Sequence, residues 1–309
     1  MKIRIATRES RLAMWQAEHV KQKLMALNGV SEVIIVGMTT QGDQILDRSL
    51  SKIGGKGLFI KELETALLED RADLAVHSGK DIPMQLQSQF NLVGFMTRED
   101  PSDAFVSNEY SHLDQLPPGA VVGTSSLRRQ AQILAKYPYL IIKPLRGNLD
   151  TRLSKLDAGQ FQAIVLASAG LKRLHLEHRI RCQLAPEVML PAVGQGALGL
   201  EIRQQDSALK QLLLPLINPI ETLLVQAERQ ISAALGGSCH VPIAGYAQLE
   251  AGNQMVLRGL VAHTNGTRIL FAQARGPLDQ WQQVSNQVID ELKAAGAEQL
   301  VEQSLNPHA

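Results

Sequence analysis

Apolar and polar positions in the first hundred residues follow the spacing of strands and helices in turn. Lys2–Ala6 alternates with the period of a strand, and Val33–Met38 and Asp73–His77 have the composition of buried strands. Apolar residues at helical spacing follow Ser10, which can cap the helix that they predict. The same spacing returns over Leu58–Glu69, which predicts a second helix. The order of strand, helix and strand predicts an α/β layer with mainly parallel strands.

A second alternating unit runs from about Ala104 to Pro191. We expect its strands at Ala120–Gly123, Leu140–Lys143 and Ala163–Ala167, and its helices to begin near Ser125, Asn148 and Ser168. One more buried strand, Ala197–Ile202, and a polar helix, Asp206–Leu213, complete this α/β part.

The pattern changes from Asn218 onward. Asn218 and Pro219 make a helix start, and apolar positions at helical spacing continue to Gly236, which stops the helix. Three strand-like runs and a last helix follow, at Ile243–Leu249, Met255–Ala262, Arg268–Ala274 and Leu278–Ala295. Because Asn265-Gly266 is a hairpin signal, we expect an antiparallel sheet in a separate α+β domain.

Two loops stand out because they are rich in glycine. Thr39–Gly57 lacks periodicity, and a loop of that length is either functional or a disordered surface segment. The stretch GGSCHVPIAG places Cys239 beside His240. The cysteine could be a buried filler, a metal ligand, a nucleophile or an attachment point.

Composition narrows the function classes. The 309 residues are 45% hydrophobic, enough for two or three domains with substantial cores. A net charge of +1 gives no field that recruits nucleic acid or an anionic membrane, and 4% aromatic residues argue against base stacking. The two cysteines fit a reducing compartment, and MKIRIATRES lacks the apolar core of a secretory signal, so we expect a cytoplasmic protein.

Cationic segments follow five of the predicted strands. The ligand crevice of an α/β sheet lies at the carboxyl ends of its strands, so five such segments predict a ligand with several negative charges. VGTSSLRR offers the hydroxyls and backbone N–H groups of a helix start, although a capped helix with a solvated basic turn remains open. Arginines outnumber lysines in these segments, and the forked guanidinium group suits bidentate binding of a carboxylate. The segments centre on Arg8, Lys80, Thr124–Arg129, Arg146–Arg152 and Arg173.

Acid–base and metal chemistry have fewer candidates. Asp81 follows Lys80 and could offset positive charge on a substrate or pass a proton, or it could form a structural ion pair with Lys80. His77 is expected near the same strand end. No second Cys/His pair accompanies Cys239 with the spacing of a metal site, so we predict no metal.

Six long motifs in order resemble the porphobilinogen deaminase family. They are GGKGLFIKELE, HSGKDIP, VGTSSLRRQ, LRGNLDTRLSKLDAG, LPAVGQGALG and GGSCHVPIAGYA, and the resemblance covers essentially the whole chain. It implies a transferase of heme and porphyrin biosynthesis that joins four porphobilinogen molecules head to tail. Each addition releases ammonia, and the product is the linear tetrapyrrole hydroxymethylbilane.

The resemblance also implies a cofactor and residue roles. A dipyrromethane primer is attached by a thioether to Cys239, and Asp81 is the catalytic aspartate, which contacts pyrrole N–H groups and steadies a cationic azafulvene-like intermediate. The residues implied to bind the primer are Lys80, Thr124, Ser125, Ser126, Arg128, Arg129, Arg146 and Arg152. Those implied to meet substrate are Arg8, Ser10, Lys52, Lys56, Phe59, Arg173 and Gln195.

The implied fold has three domains, two of them doubly wound α/β domains like those of two-domain anion-binding proteins. Residues 1–96 with 197–214 form the first, 102–190 the second, and 218–309 the α+β third. No segment has the pattern of a dedicated dimer helix, so we expect a monomer, and we expect its product to pass to a tetrapyrrole-cyclising enzyme. Where the family usually has a bulky apolar residue in HSxKD, this chain has Gly79.

Two rival hypotheses remain at the level of sequence. A two-domain module could bind a polycarboxylate without chemistry, or Cys239 and His240 could serve a hydrolase, although adjacent residues rarely form a nucleophile–base pair.

Overall fold

A computed structural model describes residues 1–40, 60–237 and 241–305. The strands, in chain order, are β1 (Lys2–Arg8), β2 (Glu32–Met38), β3 (Leu74–Ser78), β4 (Phe90–Phe95), β5 (Asp103–Val106), β6 (Val121–Gly123), β7 (Ile141–Lys143), β8 (Ala163–Ala167), β9 (Cys182–Leu184), β10 (Leu198–Arg203), β11 (Ile243–Glu250), β12 (Gln254–Ala262) and β13 (Ile269–Pro277). The α-helices are α1 (Arg11–Met25), α2 (Lys61–Leu68), α3 (Leu127–Lys136), α4 (Leu149–Asp157), α5 (Ser168–Arg173), α6 (Ser207–Leu213), α7 (Pro219–Ala234), α8 (Trp281–Ala294) and α9 (Ala297–Leu305).

Polar side chains start three helices where the sequence predicts them. Ser10 accepts a hydrogen bond from the Ala13 N–H at the start of α1. Asn148 caps α4 by accepting from the Thr151 N–H, and Asn218 accepts from the Glu221 N–H at the start of α7. Each bond satisfies one of the N–H groups that a helix leaves without a partner in its first turn.

Two five-stranded sheets share one design. Their strand orders are β2-β1-β3-β10-β4 and β7-β6-β8-β5-β9. In each, the first three strands are parallel and the fourth is antiparallel to both neighbours. The expectation of mainly parallel strands is therefore wrong in half of the pairings, because apolar runs do not encode strand direction. β4, β5, β9 and α9 were not predicted at all.

The chain divides into two compact units. The first comprises Met1–Glu99 and Ala197–Thr222, and the second comprises Asp100–Gly196 and Leu223–Ala309. β10 therefore returns to the first unit, as the resemblance implies. The three-domain boundaries stay a prediction.

Each unit has its own hydrophobic cores. In the first, α1 and α6 cover the sheet through residues such as Val20, Leu24 and Leu213. In the second, separate clusters lie on the two faces of the five-stranded sheet. A third cluster joins the antiparallel sheet β11-β12-β13 to α7, α8 and α9, and confirms the predicted α+β part.

Within the second unit, α3 packs against the antiparallel sheet through Ala131 and Leu260.

Over the part of the chain that the structure describes, no single helix is long and apolar enough to cross a membrane. One bent pair of helices, Ser207–Leu216 with Pro219–Ala234, meets the length and composition criteria only when the two are taken together.

Candidate functional site

The cationic segments predicted from sequence follow parallel strands in both units. Arg8 ends β1 and Lys80 follows β3, and these strands are neighbours in the first sheet. In the second sheet, Thr124–Ser126, Arg146 and Arg173 follow β6, β7 and β8, which are also adjacent. The carboxyl ends of parallel neighbours share an edge, so each sheet gathers its cations at one edge.

A cleft in the first unit brings Arg8 and Asp81 together. We call it the Asp81 cleft; it contains about 310 Å³ of space, part of it open to solvent. Gln16 Nε2 donates to Ser78 Oγ at 2.9 Å along one wall. The lining residues are Arg8, Ala13, Gln16, Ile60, Leu63, Val76, His77, Ser78 and Asp81.

A single 3₁₀ turn, Gly79–Asp81, sets the position of Asp81. The Gly79 N–H donates to the Ala197 carbonyl at 2.8 Å and ties the turn to the residue before β10. The Asp81 carboxylate is exposed and makes no hydrogen bond or ion pair with the described residues. The ion pair with Lys80 that the sequence left open is not formed, so the carboxylate is available to a ligand.

The hydroxyls at the start of α3 are used in local hydrogen bonds. Thr124 Oγ1 accepts from the Ser126 N–H at 3.1 Å, and Ser126 Oγ caps the helix at the Arg129 N–H. Ser125 Oγ donates to the Leu145 carbonyl at 2.9 Å and accepts from its N–H at 3.1 Å. The turn after β6 is thus joined to the turn after β7, which holds Arg146.

Arg128 and Arg129 are buried around one carboxylate. Asp103 is fully buried; its Oδ2 accepts from Arg128 Nη1 at 2.7 Å and its Oδ1 from Arg129 Nη2 at 2.7 Å. The two arginines hold the pKa of the Asp103 carboxyl well below its usual range, against the opposing effect of burial. The sequence alternative of a solvated basic turn is therefore wrong, because Asp103 supplies the countercharge internally.

Asp103 does not use all the capacity of the two arginines. The Nε atom of Arg128 is buried and has no hydrogen-bond partner in the described ranges. Two guanidinium groups against one carboxylate leave an excess positive charge inside the domain. Both features favour an anion nearby.

Gly147 shapes the turn between Arg146 and Arg152. Its φ is +109°, and a Cβ there would lie 2.6 Å from a Thr151 methyl, so the turn requires glycine. Arg152 Nε donates to the Gly147 carbonyl at 2.9 Å. The Arg146 guanidinium has no hydrogen bond or ion pair with any described residue, and burial lowers its pKa.

The remaining predicted residues lie in different settings. Arg173 is buried and its Nη2 donates to the Gly196 carbonyl at 2.7 Å. Gln195 Nε2 donates to Asp103 Oδ1 at 2.9 Å, so this side chain supports the arginine cluster. The predicted Lys52, Lys56, Phe59 and Cys239 lie outside the described residues, as do most of the Thr39–Gly57 loop and His240.

Two carboxyl groups beside the cleft were missed from sequence. His77 Nε2 and Glu201 Oε2 are 2.7 Å apart, and both side chains are buried. Glu64 of α2 is close enough that burial, followed by the negative charge of Glu201, raises its pKa to about 7. These residues come from three separate elements, and no local pattern marks them as a group.

Among the described residues, no group of three or more His, Cys, Asp or Glu side chains could hold a metal ion.

Comparison with known proteins gives consistent matches. Residues 3–211 match the family model described as porphobilinogen deaminase, dipyromethane cofactor binding domain, and residues 222–294 match its C-terminal domain. The porphobilinogen deaminase of Chromobacterium violaceum is 58% identical over 300 residues, covering 97% of both chains. That of Bordetella parapertussis is 56% identical over 304 residues, covering 98% of this chain and 96% of the relative.

Among solved structures, an ABC-transporter periplasmic substrate-binding protein from Coxiella burnetii aligns with a TM-score of 0.45 at 16% identity, over 74% of this chain and 96% of that one.

Proposed function

Because the chain belongs to the porphobilinogen deaminase family, we propose that it holds its primer on Cys239 and uses Asp81 as its catalytic carboxylate. The enzyme is a transferase of tetrapyrrole biosynthesis that joins four porphobilinogen molecules head to tail, with release of ammonia, to give hydroxymethylbilane.

The unpaired Asp81 carboxylate carries the proposal. When ammonia leaves porphobilinogen, positive charge develops on the pyrrole ring, and a carboxylate already in the cleft can stabilise it. Asp81 lines the cleft, and no described residue neutralises it. Arg8 lines the same cleft and offers a planar pair of donors for a substrate carboxylate.

The second unit has side chains that fit the primer, because dipyrromethane carries an acetate and a propionate on each ring. Burial lowers the pKa of the Arg146 guanidinium with no carboxylate among the causes, and a bound carboxylate would supply that charge. We assign Arg146, Arg152 and the start of α3 to the primer carboxylates. When bound, the primer supplies the free pyrrole carbon to which units are added.

Cys239 is the proposed attachment point, and Cys182 is its natural control. The chain has only these two cysteines. Cys182 is partly exposed, and burial raises the pKa of its thiol, which disfavours the reactive thiolate. A thioether at one cysteine and not the other can therefore be read from the mass of single variants.

Asp81→Asn tests the proposal. We expect turnover of porphobilinogen to fall by about 10²–10³-fold, since one preorganised charge is removed, while the primer stays attached. Asp290→Asn, at an exposed position on α8, is the control and should match the wild type. Tetrapyrrole formation is followed by absorbance, and the primer by intact mass. Turnover of Asp81→Asn within twofold of the wild type would remove Asp81 from the mechanism.

Other expectations from the sequence stay predictions: the cytoplasmic location, the monomeric state, the absence of nucleic-acid and membrane partners, and transfer of the product to a tetrapyrrole-cyclising enzyme. The same holds for the substrate contacts assigned to Ser10, Arg173 and Gln195, and for those of Lys52, Lys56 and Phe59.

A further inference from the structure

A histidine and a carboxylate form a buried pair at the Asp81 cleft. His77 is on β3 and Glu201 on the antiparallel neighbour β10, with 2.7 Å between Nε2 and Oε2. His77 is 5% exposed and Glu201 is fully buried. Burying a polar pair costs desolvation free energy, so a buried pair is weak evidence for a purely stabilising role. The position of the pair at a reaction cleft therefore points to function.

The pair is arranged so that one ring nitrogen remains available. Nε2 faces Glu201, whereas Nδ1 makes no hydrogen bond with any described residue. His77 lines the cleft, but Glu201 and Glu64 do not. The imidazole is therefore the member of the cluster that can exchange a proton with a molecule in the cleft.

The groups that face the ring come from several elements of the first unit. Oε1 of Glu201 is buried without a hydrogen-bond partner in the described ranges, so the carboxylate has spare capacity. Helix α1 contributes the neutral Gln16 to this wall. The ionisable groups around the imidazole are Arg8 from β1, Glu64 from α2, Asp81 from the turn after β3, and Glu201 from β10.

We propose that His77 is a proton acceptor and donor of the polymerisation reaction, positioned by Glu201. The inference rests on the proposed function. The aminomethyl group of porphobilinogen reacts in its ammonium form: the carbon–nitrogen bond breaks with its electron pair on nitrogen, ammonia leaves, and the positive charge remains on the pyrrole. The accepting pyrrole carbon then forms the new carbon–carbon bond and loses its hydrogen as a proton, which His77 takes at Nδ1. The imidazolium returns this proton to ammonia, giving ammonium, so the histidine ends each addition unchanged.

Glu201 has the role of a positioning residue. A carboxylate on Nε2 holds the ring with its proton on that nitrogen and leaves the Nδ1 lone pair for the substrate; it also stabilises the imidazolium once formed. Asp81 keeps a separate role, because its charge stabilises the cationic ring before the proton is lost.

The first experiment measures turnover with porphobilinogen carrying deuterium at its free α-carbon. His77→Gln should lower kcat by about 10²-fold or more, with KM little changed, and should enlarge the deuterium isotope effect because proton removal becomes slow. His112→Gln, an exposed control, should match the wild type. An unchanged kcat, or a lower kcat with the wild-type isotope effect, overturns the proposal.

The second experiment does not depend on activity or on a His77 variant that folds. Nitrogen-15 spectra of the imidazole rings in the holoenzyme should show neutral His77 protonated at Nε2, and Glu201→Gln should mix the two tautomers. A neutral ring protonated at Nδ1 in the wild type contradicts the assignment. If the wild type forms no tetrapyrrole from porphobilinogen, the proposed function fails; if it does and His77→Gln is unaffected, only this inference fails.

Discussion

The buried cluster of Asp103, Arg128 and Arg129 allows a quantitative prediction. Asp103→Asn keeps the shape of the side chain and removes its charge. The carboxylate accepts from Arg128 Nη1 and Nη2 at 2.7 and 3.2 Å, from Arg129 Nε and Nη2 at 3.0 and 2.7 Å, and from Gln195 Nε2 at 2.9 Å. Four of these five donors meet Oδ1, so an amide oxygen there can still accept from them, but the amide nitrogen then faces Arg128 Nη1 and no negative charge opposes the two guanidinium groups.

The expected cost is about 3–5 kcal/mol of unfolding free energy at pH 7, the range for removing one partner of a buried ion pair. The pKa of Asp103 is lowered in the folded protein, so the stabilisation is complete above its unfolded value of 3.8. It is lost as pH falls through the folded value. The difference between wild type and variant should thus be constant from about pH 5 to 7 and shrink only in stronger acid.

Trp281 provides a local probe. The chain has two tryptophans, so Trp15→Phe leaves Trp281 as the only one. Trp281 lies in the same unit as Asp103, and its fluorescence therefore reports the unfolding of that unit. Urea unfolding of that background, with and without Asp103→Asn, is followed by fluorescence. Asp114→Asn is the exposed control and should cost no more than about 0.5 kcal/mol. A cost below about 1 kcal/mol for Asp103→Asn would refute the argument that the carboxylate compensates the arginines.

Three further substitutions test single features. Gly147→Ala should lower Tm more than Gly159→Ala, since both have positive φ but only Gly147 would bring a Cβ within 2.6 Å of another group. The pKa of Glu64 is raised from 4.5 to about 7, so its protonated carboxyl stabilises the fold below pH 4.5 and this stabilisation is lost as the pH rises to about 7. Glu64→Gln should remove that loss, measured as the free energy of urea unfolding across this pH range. A variant as pH-dependent as the wild type contradicts this. Gly79→Met should preserve or raise turnover, because the family usually has a bulky apolar residue at this buried position and Gly79 does not have positive φ; a large loss would show that the turn requires glycine.

Local features of the fold could be predicted from sequence. Ser10, Asn148 and Asn218 were assigned as helix starts, and each makes a capping hydrogen bond within three residues. Such bonds depend on the neighbouring residues alone. The antiparallel direction of β10 could not be predicted, because Leu198–Arg203 has the same apolar pattern in either direction.

The site was predictable where chemistry follows a strand end, and not where it depends on distant residues. Arg8 and Asp81 were assigned from their motifs and line one cleft. Asp103 lies 25 residues from Arg128, and Glu201 lies 124 residues from His77, so no spacing connects either pair. The sheets bring these side chains together only after the strands have paired.

Intact mass of the purified protein, made with porphobilinogen available, tests the covalent primer directly. We expect the wild type and Cys182→Ala to exceed their sequence masses by two linked pyrrole units, and Cys239→Ala to match its sequence mass. An unmodified wild type, or an adduct that persists in Cys239→Ala, would contradict attachment of the primer at Cys239.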